Sequence, residues 1–88
     1  MMKRNNLDIC ADILKISRGG AKKTHLVYKA NLNFKIVKGY LTHLIDNDLL
    51  ENDGEMFYLT TKGSRFIEQY DSLVAPFPNV GLNGGMRE

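Results

Sequence analysis

The sequence predicts a small α+β domain with the order helix, helix, helix, β-hairpin, helix. Three observations predict it. Within Asn33–Leu50, the residues Phe34, Val37, Leu41, Leu44 and Ile45 recur three and four positions apart, the spacing of one helix face. Only Asn31-Leu32 separates that stretch from a shorter apolar-periodic one before it, so two helices must meet across a tight turn. Asp53-Gly54 then stands between two short runs of bulky residues, a strong hairpin signal.

The first helix is predicted over Asn6–Ser17, where Ile9, Ile13 and Ile16 mark a stripe that Leu7, Cys10 and Leu14 widen. Asn6 is the expected cap and Asp8 suits the positive end of the helix dipole. Gly19-Gly20 ends it, since glycine reaches the left-handed conformation found past helix ends. So broad an apolar face offers part of itself to another subunit. A basic loop, Arg18 to Lys23, leads to a second helix over Thr24–Ala30 with Thr24 as its expected cap. Asn31-Leu32 breaks the pattern, and Asn33 caps the third helix, Phe34–Asn47. The second and third helices then have the steep crossing of a helix-turn-helix. Leu49–Asn52 and Glu55–Leu59 are the hairpin strands around Asp53-Gly54. Thr60 caps the last helix, whose stripe is Phe66, Ile67, Tyr70, Leu73 and Val74, and Pro76 and Pro78 stop it. Residues 6–75 form the domain. Residues 76–88, rich in Pro, Gly and Asn without periodicity, read as a flexible tail.

At 88 residues, 43% apolar and 25% charged, the chain has room for one globular domain. So small a core makes a dimer interface an expected helper. No apolar run approaches the roughly 20 residues that span a bilayer. The basic MMKRNN start is followed by a charged amphipathic segment, unlike a signal peptide. The single Cys10 cannot form an intrachain disulfide, and a cytoplasmic protein is the expectation. Net charge is only +2, but its distribution is uneven. Residues 1–46 hold nine Lys or Arg against three Asp or Glu, whereas residues 47–88 hold three against seven. The half that ends with the third helix is the half that would attract a polyanion.

The run YKANLNFKIVKGYLTHLIDNDLLE, followed by FYLTTKGSRFIEQY, resembles the winged helix-turn-helix DNA-binding domains common in archaea. It is similar to small archaeal proteins of this chain's size, 10.0 kDa, that include chromatin-type DNA binders. The likeness covers residues 7–74. It is carried by Ala30-Asn31-Leu32-Asn33, by Tyr40-Leu41 with Leu44, and by Leu59-Thr60-Thr61-Lys62-Gly63. The resemblance implies a third helix in the major groove, a hairpin that acts as the wing, and first and last helices that support a dimer. It departs from the pattern twice. The last helix stops at Ala75-Pro76, where chromatin-type relatives continue into a coiled coil. The hairpin is acidic, with Asp48, Glu51, Asp53 and Glu55 and no cation at its tip, which suits phosphates poorly.

The residues expected to meet double-stranded DNA follow from this reading. Arg18, Lys22, Lys23 and Thr24 lie where a helix-turn-helix crosses the backbone, and the start of the second helix adds free N–H groups. Lys35, Lys38, Gly39, Thr42 and His43 occupy the polar face of the third helix, with Asn33 at its start. Ile9, Ile13, Tyr70, Leu73 and Val74 are the expected homodimer surface. Tyr28 and Tyr40 read as aromatics at the core edge. His25 and His43 lie on different helices without further donors at ligand spacing, so neither a metal nor a cofactor is expected. Asp8 and Asp12, one turn apart beside Lys15, read as a solvated face, and no enzyme is expected. The function expected is a transcriptional regulator or small chromatin-associated protein on the nucleoid, without membrane attachment. The alternative is a protein–protein interaction module using the acidic hairpin and the last helix.

Overall fold

In the computed structural model, which describes residues 5–75, the chain runs α1 (Asn6–Ile16), β1 (Ala21–Lys22), α2 (Lys23–Ala30), α3 (Phe34–Asp46), β2 (Leu50–Asp53), β3 (Met56–Leu59) and α4 (Thr61–Val74). The four helices and the hairpin stand where the sequence predicts them. The added element is β1. It pairs antiparallel with β3, Ala21 opposite Phe57 and Lys22 opposite Met56, so the wing is a three-stranded sheet in the order β1-β3-β2. The tail expected over residues 76–88 lies outside the described residues.

Two caps differ from expectation. Asn5, not Asn6, caps α1: its side chain accepts from Asp8 N at 2.8 Å while the Asp8 carboxylate accepts from Asn5 N at 3.3 Å. That reciprocal pair needs an acid three residues after the cap, and only Asn5 stands in that relation to Asp8. Thr24 does not cap α2. The helix begins one residue before it with Lys22 at the cap and no side-chain bond, because Lys22 already belongs to β1. Asn33 and Thr60 cap α3 and α4 as expected, accepting from Ile36 N at 2.8 Å and Gly63 N at 2.9 Å. The exits of α2 and α3 share one device. Asn31 (φ 57°) and Asp48 (φ 62°) are left-handed, and the next residues bond back, Leu32 N to Val27 O at 3.0 Å and Leu49 N to Leu44 O at 2.9 Å. Each reverses the chain sharply, which sets α3 across α2 and then delivers the chain to the wing. At the hairpin the two-residue loop is Gly54-Glu55, not Asp53-Gly54. Only Gly54 has positive φ (63°), and the Asn52 amide braces the loop by donating to Gly54 O and Met56 O.

The core gathers Ile13 and Leu14 of α1, Leu26 of α2, Val37 and Leu44 of α3, Leu50 of β2 and Ile67 of α4, all fully buried. Each such side chain stabilises the fold by about 1.5–3 kcal/mol relative to exposure. Ile13 has no exposed surface and is therefore removed from the expected dimer face, since nothing outside the chain can reach it. Phe34, expected in the α3 stripe, is 53% exposed, because the stripe that reaches the core begins at Val37. Tyr28, expected at the core edge, is 84% exposed, whereas Tyr40 is half-buried and donates to Asn6 Oδ1 at 2.6 Å.

α4 is tied to α1 by polar contacts as well as by Ile67. The Lys15 ammonium pairs with Asp71 at 2.8 Å and lies 5.4 Å from the centre of the Tyr70 ring. The Tyr70 hydroxyl donates to Asp8 Oδ1. Burial, then that bond and the nearby charges of Asp8, Asp12 and Asp71, push the Tyr70 phenol from 10.0 up to about 12. A raised folded pKa means stability fully present below the unfolded value and lost as pH climbs through the folded one. Thermal melts should therefore lose stability between about pH 10 and about pH 12. Tyr70→Phe should remove that part of the loss. An unchanged alkaline profile in the variant would show the contact to be unimportant.

Candidate nucleic-acid interface

α3 is held from one side only. Val37, Leu41 and Leu44 anchor it to the core, and Ile45 is half-buried beside them. On a 100°-per-residue helix this turns Lys35, Gly39, Thr42, His43 and Asp46 outward, with Lys38 on one flank and Ile36 and Tyr40 on the other. The exposure agrees. Lys35, Lys38, Gly39, Thr42 and His43 are all exposed. Among the described residues neither Lys35 nor Lys38 has an ion-pair partner, so both charges are available. A methyl group added at Gly39 would meet nothing within 4 Å, so this stretch of backbone lies open to close approach. Asp46 is the one anion on this face, at its far end.

The polar groups are less free than their exposure suggests. The Asn33 side chain is committed to Ile36 N, so it sets the helix start before it can serve anything else. The Thr42 hydroxyl donates to Lys38 O at 3.1 Å, which leaves its methyl and an acceptor oxygen to face outward. Asn47 donates to His43 O at 2.8 Å and closes the last turn, leaving the exposed imidazole of His43 as the outward group.

The other expected cations lie at and before the start of α2. Arg18 is exposed in the loop after α1, and Lys22 and Lys23 straddle the start of α2. Lys22, Lys23 and Thr24 share one cleft with Gly54 and Glu55 of the hairpin loop. The first turn of α2 carries no side-chain cap, so its N–H groups and dipole favour an anion. Thr24, freed from capping, stands exposed beside them. Glu55 lies 3.7 Å from Lys22, both largely in solvent. An exposed pair of that kind is worth little energetically. It still gives one hairpin acid a positive neighbour, supplied by the strand that sequence reasoning missed.

Lys35, Gly39 and His43 come together along a groove of about 520 Å³ between α3 and the start of α1, lined also by Asn6, Cys10, Ile36 and Tyr40. Cys10 is 8% exposed, and burial pushes its thiol pKa up. Arg18, Asn33, Lys38 and Thr42 line neither this groove nor the cleft by the hairpin. Ile36, 44% exposed, is the groove-lining residue that the sequence did not single out. Its signal was its position outside the apolar stripe. Of the expected dimer residues, Leu73 (66%) and Val74 (38%) are exposed, while Ile9 and Tyr70 are half-buried against their own chain. No described helix is long and apolar enough to cross a membrane.

Residues 3–75 match the family model described as winged helix-turn-helix. Two proteins of Methanocaldococcus jannaschii, both uncharacterized, are similar in sequence. MJ0290 is 32% identical over 82% of this chain, and MJ0287 is 33% identical over 85% of it. The chain spans 35% of the length of the first and 75% of the second. Among solved structures, Sso10a-2, a DNA-binding protein from Sulfolobus solfataricus, superposes with a TM-score of 0.77. That match covers 88% of this chain and 85% of the other, at 21% identity, and speaks to the fold.

Proposed function

The chain belongs to the winged helix-turn-helix family, and from that premise we propose that it binds double-stranded DNA by laying α3 in the major groove. The observation that carries this is the outward face of α3. It bears two lysines without an ion-pair partner among the described residues, and an open glycine, on a helix whose other side is locked into the core. Lys35 and Lys38 meet phosphates or guanine edges, the Thr42 methyl faces bases, and Arg18, Lys22, Lys23 and the start of α2 grip the adjoining backbone. The acidic hairpin stands off the phosphates. In the cell the protein acts as a transcriptional regulator or a small chromatin-associated protein, cytoplasmic and on the nucleoid. It works as a homodimer joined through the exposed end of α4 at Leu73 and Val74, because two-fold partners let a helix-turn-helix read two half-sites.

Titration of duplex DNA over a range of salt tests this. Affinity should fall with a log–log slope of about −0.9 for each phosphate neutralised, hence about −4.5 for each protomer using Arg18, Lys22, Lys23, Lys35 and Lys38. Light scattering at the same concentrations should return twice the chain mass. The exposed apolar end of α4 and the acidic hairpin also support a second reading, an adaptor that binds another protein. No shift of duplex at low salt, together with recovery of a stable protein partner, would select that reading instead.

A further inference from the structure

We infer that Ile36 reads the 5-methyl group of thymine and gives the protein a preference for A·T pairs beneath the start of α3. The inference rests on the proposal that α3 enters the major groove, and it adds what that helix recognises there. Ile36 is 44% exposed although it sits between the cap Asn33 and the core residue Val37. An isoleucine left so open contributes only part of its possible burial to the fold, so packing does not explain why it is there. Its surroundings are equally specific. It lines the groove between α3 and α1 together with Lys35, Gly39 and His43, over a floor that includes Cys10 and Tyr40. Lys35 has no anionic partner among the described residues, and the Gly39 backbone is open. An apolar side chain is thus set beside free positive charge, on the part of the helix that meets base edges when a recognition helix enters the groove.

The major-groove edges of guanine, cytosine and adenine carry hydrogen-bonding groups and no methyl. Thymine alone adds an apolar one, its 5-methyl. Ile36 placed over a G·C pair would strip water from N7, O6 or N4 and return no hydrogen bond. Placed over thymine it removes a methyl and its own exposed carbons from water together. Lys35 beside it holds the neighbouring phosphate or purine edge, so charge supplies affinity and Ile36 supplies the choice of base.

The test compares the full chain on an alternating A·T duplex with the same duplex carrying uracil in place of thymine, at one salt concentration. Phosphate contacts are common to both, so the affinity ratio isolates the methyl groups. The wild-type protein should prefer the thymine duplex by about fourfold for each methyl contacted. Ile36→Ala should lose most of the preference, keeping at most what the Thr42 methyl adds, with the wild-type salt slope, and Ile36→Val should restore part of it. Because the side chain is nearly half exposed, the Ala variant is expected to fold, which a thermal melt verifies. A wild-type ratio of one, with binding retained, overturns the inference alone. Full discrimination in Ile36→Ala does the same, as does a changed solution mass in that variant with the ratio intact, which would assign the groove to a second copy. Failure of both duplexes to bind at low salt overturns the duplex-binding proposal along with it.

Discussion

Replacing Lys35 and Lys38 together by Glu is expected to weaken duplex binding by about a hundredfold or more. Each lost contact is worth about 1–3 kcal/mol, and a reversed charge adds repulsion from the phosphates. The salt slope should fall by about 2, one unit or slightly less for each cation removed. Both side chains are exposed and neither has an ion-pair partner among the described residues, so the melting temperature should hardly change. That combination separates a lost interface from a lost fold. Equal affinity and an equal slope in the double variant would place the DNA contacts on some other surface.

The second large effect concerns stability. Gly63→Ala should destabilise the protein by about 3 kcal/mol, at the upper end of overpacking costs. A methyl at Gly63 would stand 2.2 Å from Leu49 O and 2.7 Å from Leu59 Cδ1, and the first of these is backbone that no rotamer change can move. The start of α4 is pinned there from several directions. Thr60 Oγ1 accepts from Gly63 N and donates to Asp48 O at 2.6 Å, and Thr60 N donates to Leu49 O at 3.3 Å. For a domain of this size the change corresponds to a melting point lowered by about 12–24 °C. Helix propensity alone predicts the opposite sign, a gain of about 0.5–1 kcal/mol for glycine to alanine in a helix interior. Gly39→Ala supplies that contrast: it lies in α3 with open space around it and should stabilise by about that amount. A stable Gly63→Ala variant, seen as an unchanged melt, would mean that α4 can retreat from the wing at little cost.

Gly63 also shows how a sequence signal acquires its cause. The run Leu59-Thr60-Thr61-Lys62-Gly63 marks the fold in the sequence by resemblance. In the structure Leu59 ends the wing, Thr60 caps α4 and bonds back to the α3 exit, and Gly63 lets the helix seat against Leu49. Three residues of that run each carry a separate contact at one junction. The Asn31 turn is a similar case, visible as a break in periodicity and resolved as a left-handed helix exit.

The differences between expectation and structure fall where a residue's neighbour is far away in the chain. β1 is only Ala21-Lys22, too short for any period, and exists because β3 offers it an edge some 35 residues later. Recruiting Lys22 into that strand moved the start of α2, displaced Thr24 from its cap and put Lys22 beside Glu55. Ile13 and Leu73 both lie on apolar stripes, yet one is sealed in the core and the other is 66% exposed, because α1 is covered by the other helices and α4 runs past them.

The amino-acid sequence by itself determined the four helices, the hairpin, the break between α2 and α3, and the polar face that α3 turns outward. All of these depend on spacing and capping within a few residues. The tertiary structure decided the third strand of the wing, the flanks of α3 that stay open at Phe34 and Ile36, and the groove that gathers Lys35, Gly39 and His43 against α1. Those depend on which surfaces are covered by distant segments, and no local pattern encodes what will come to lie beside a helix.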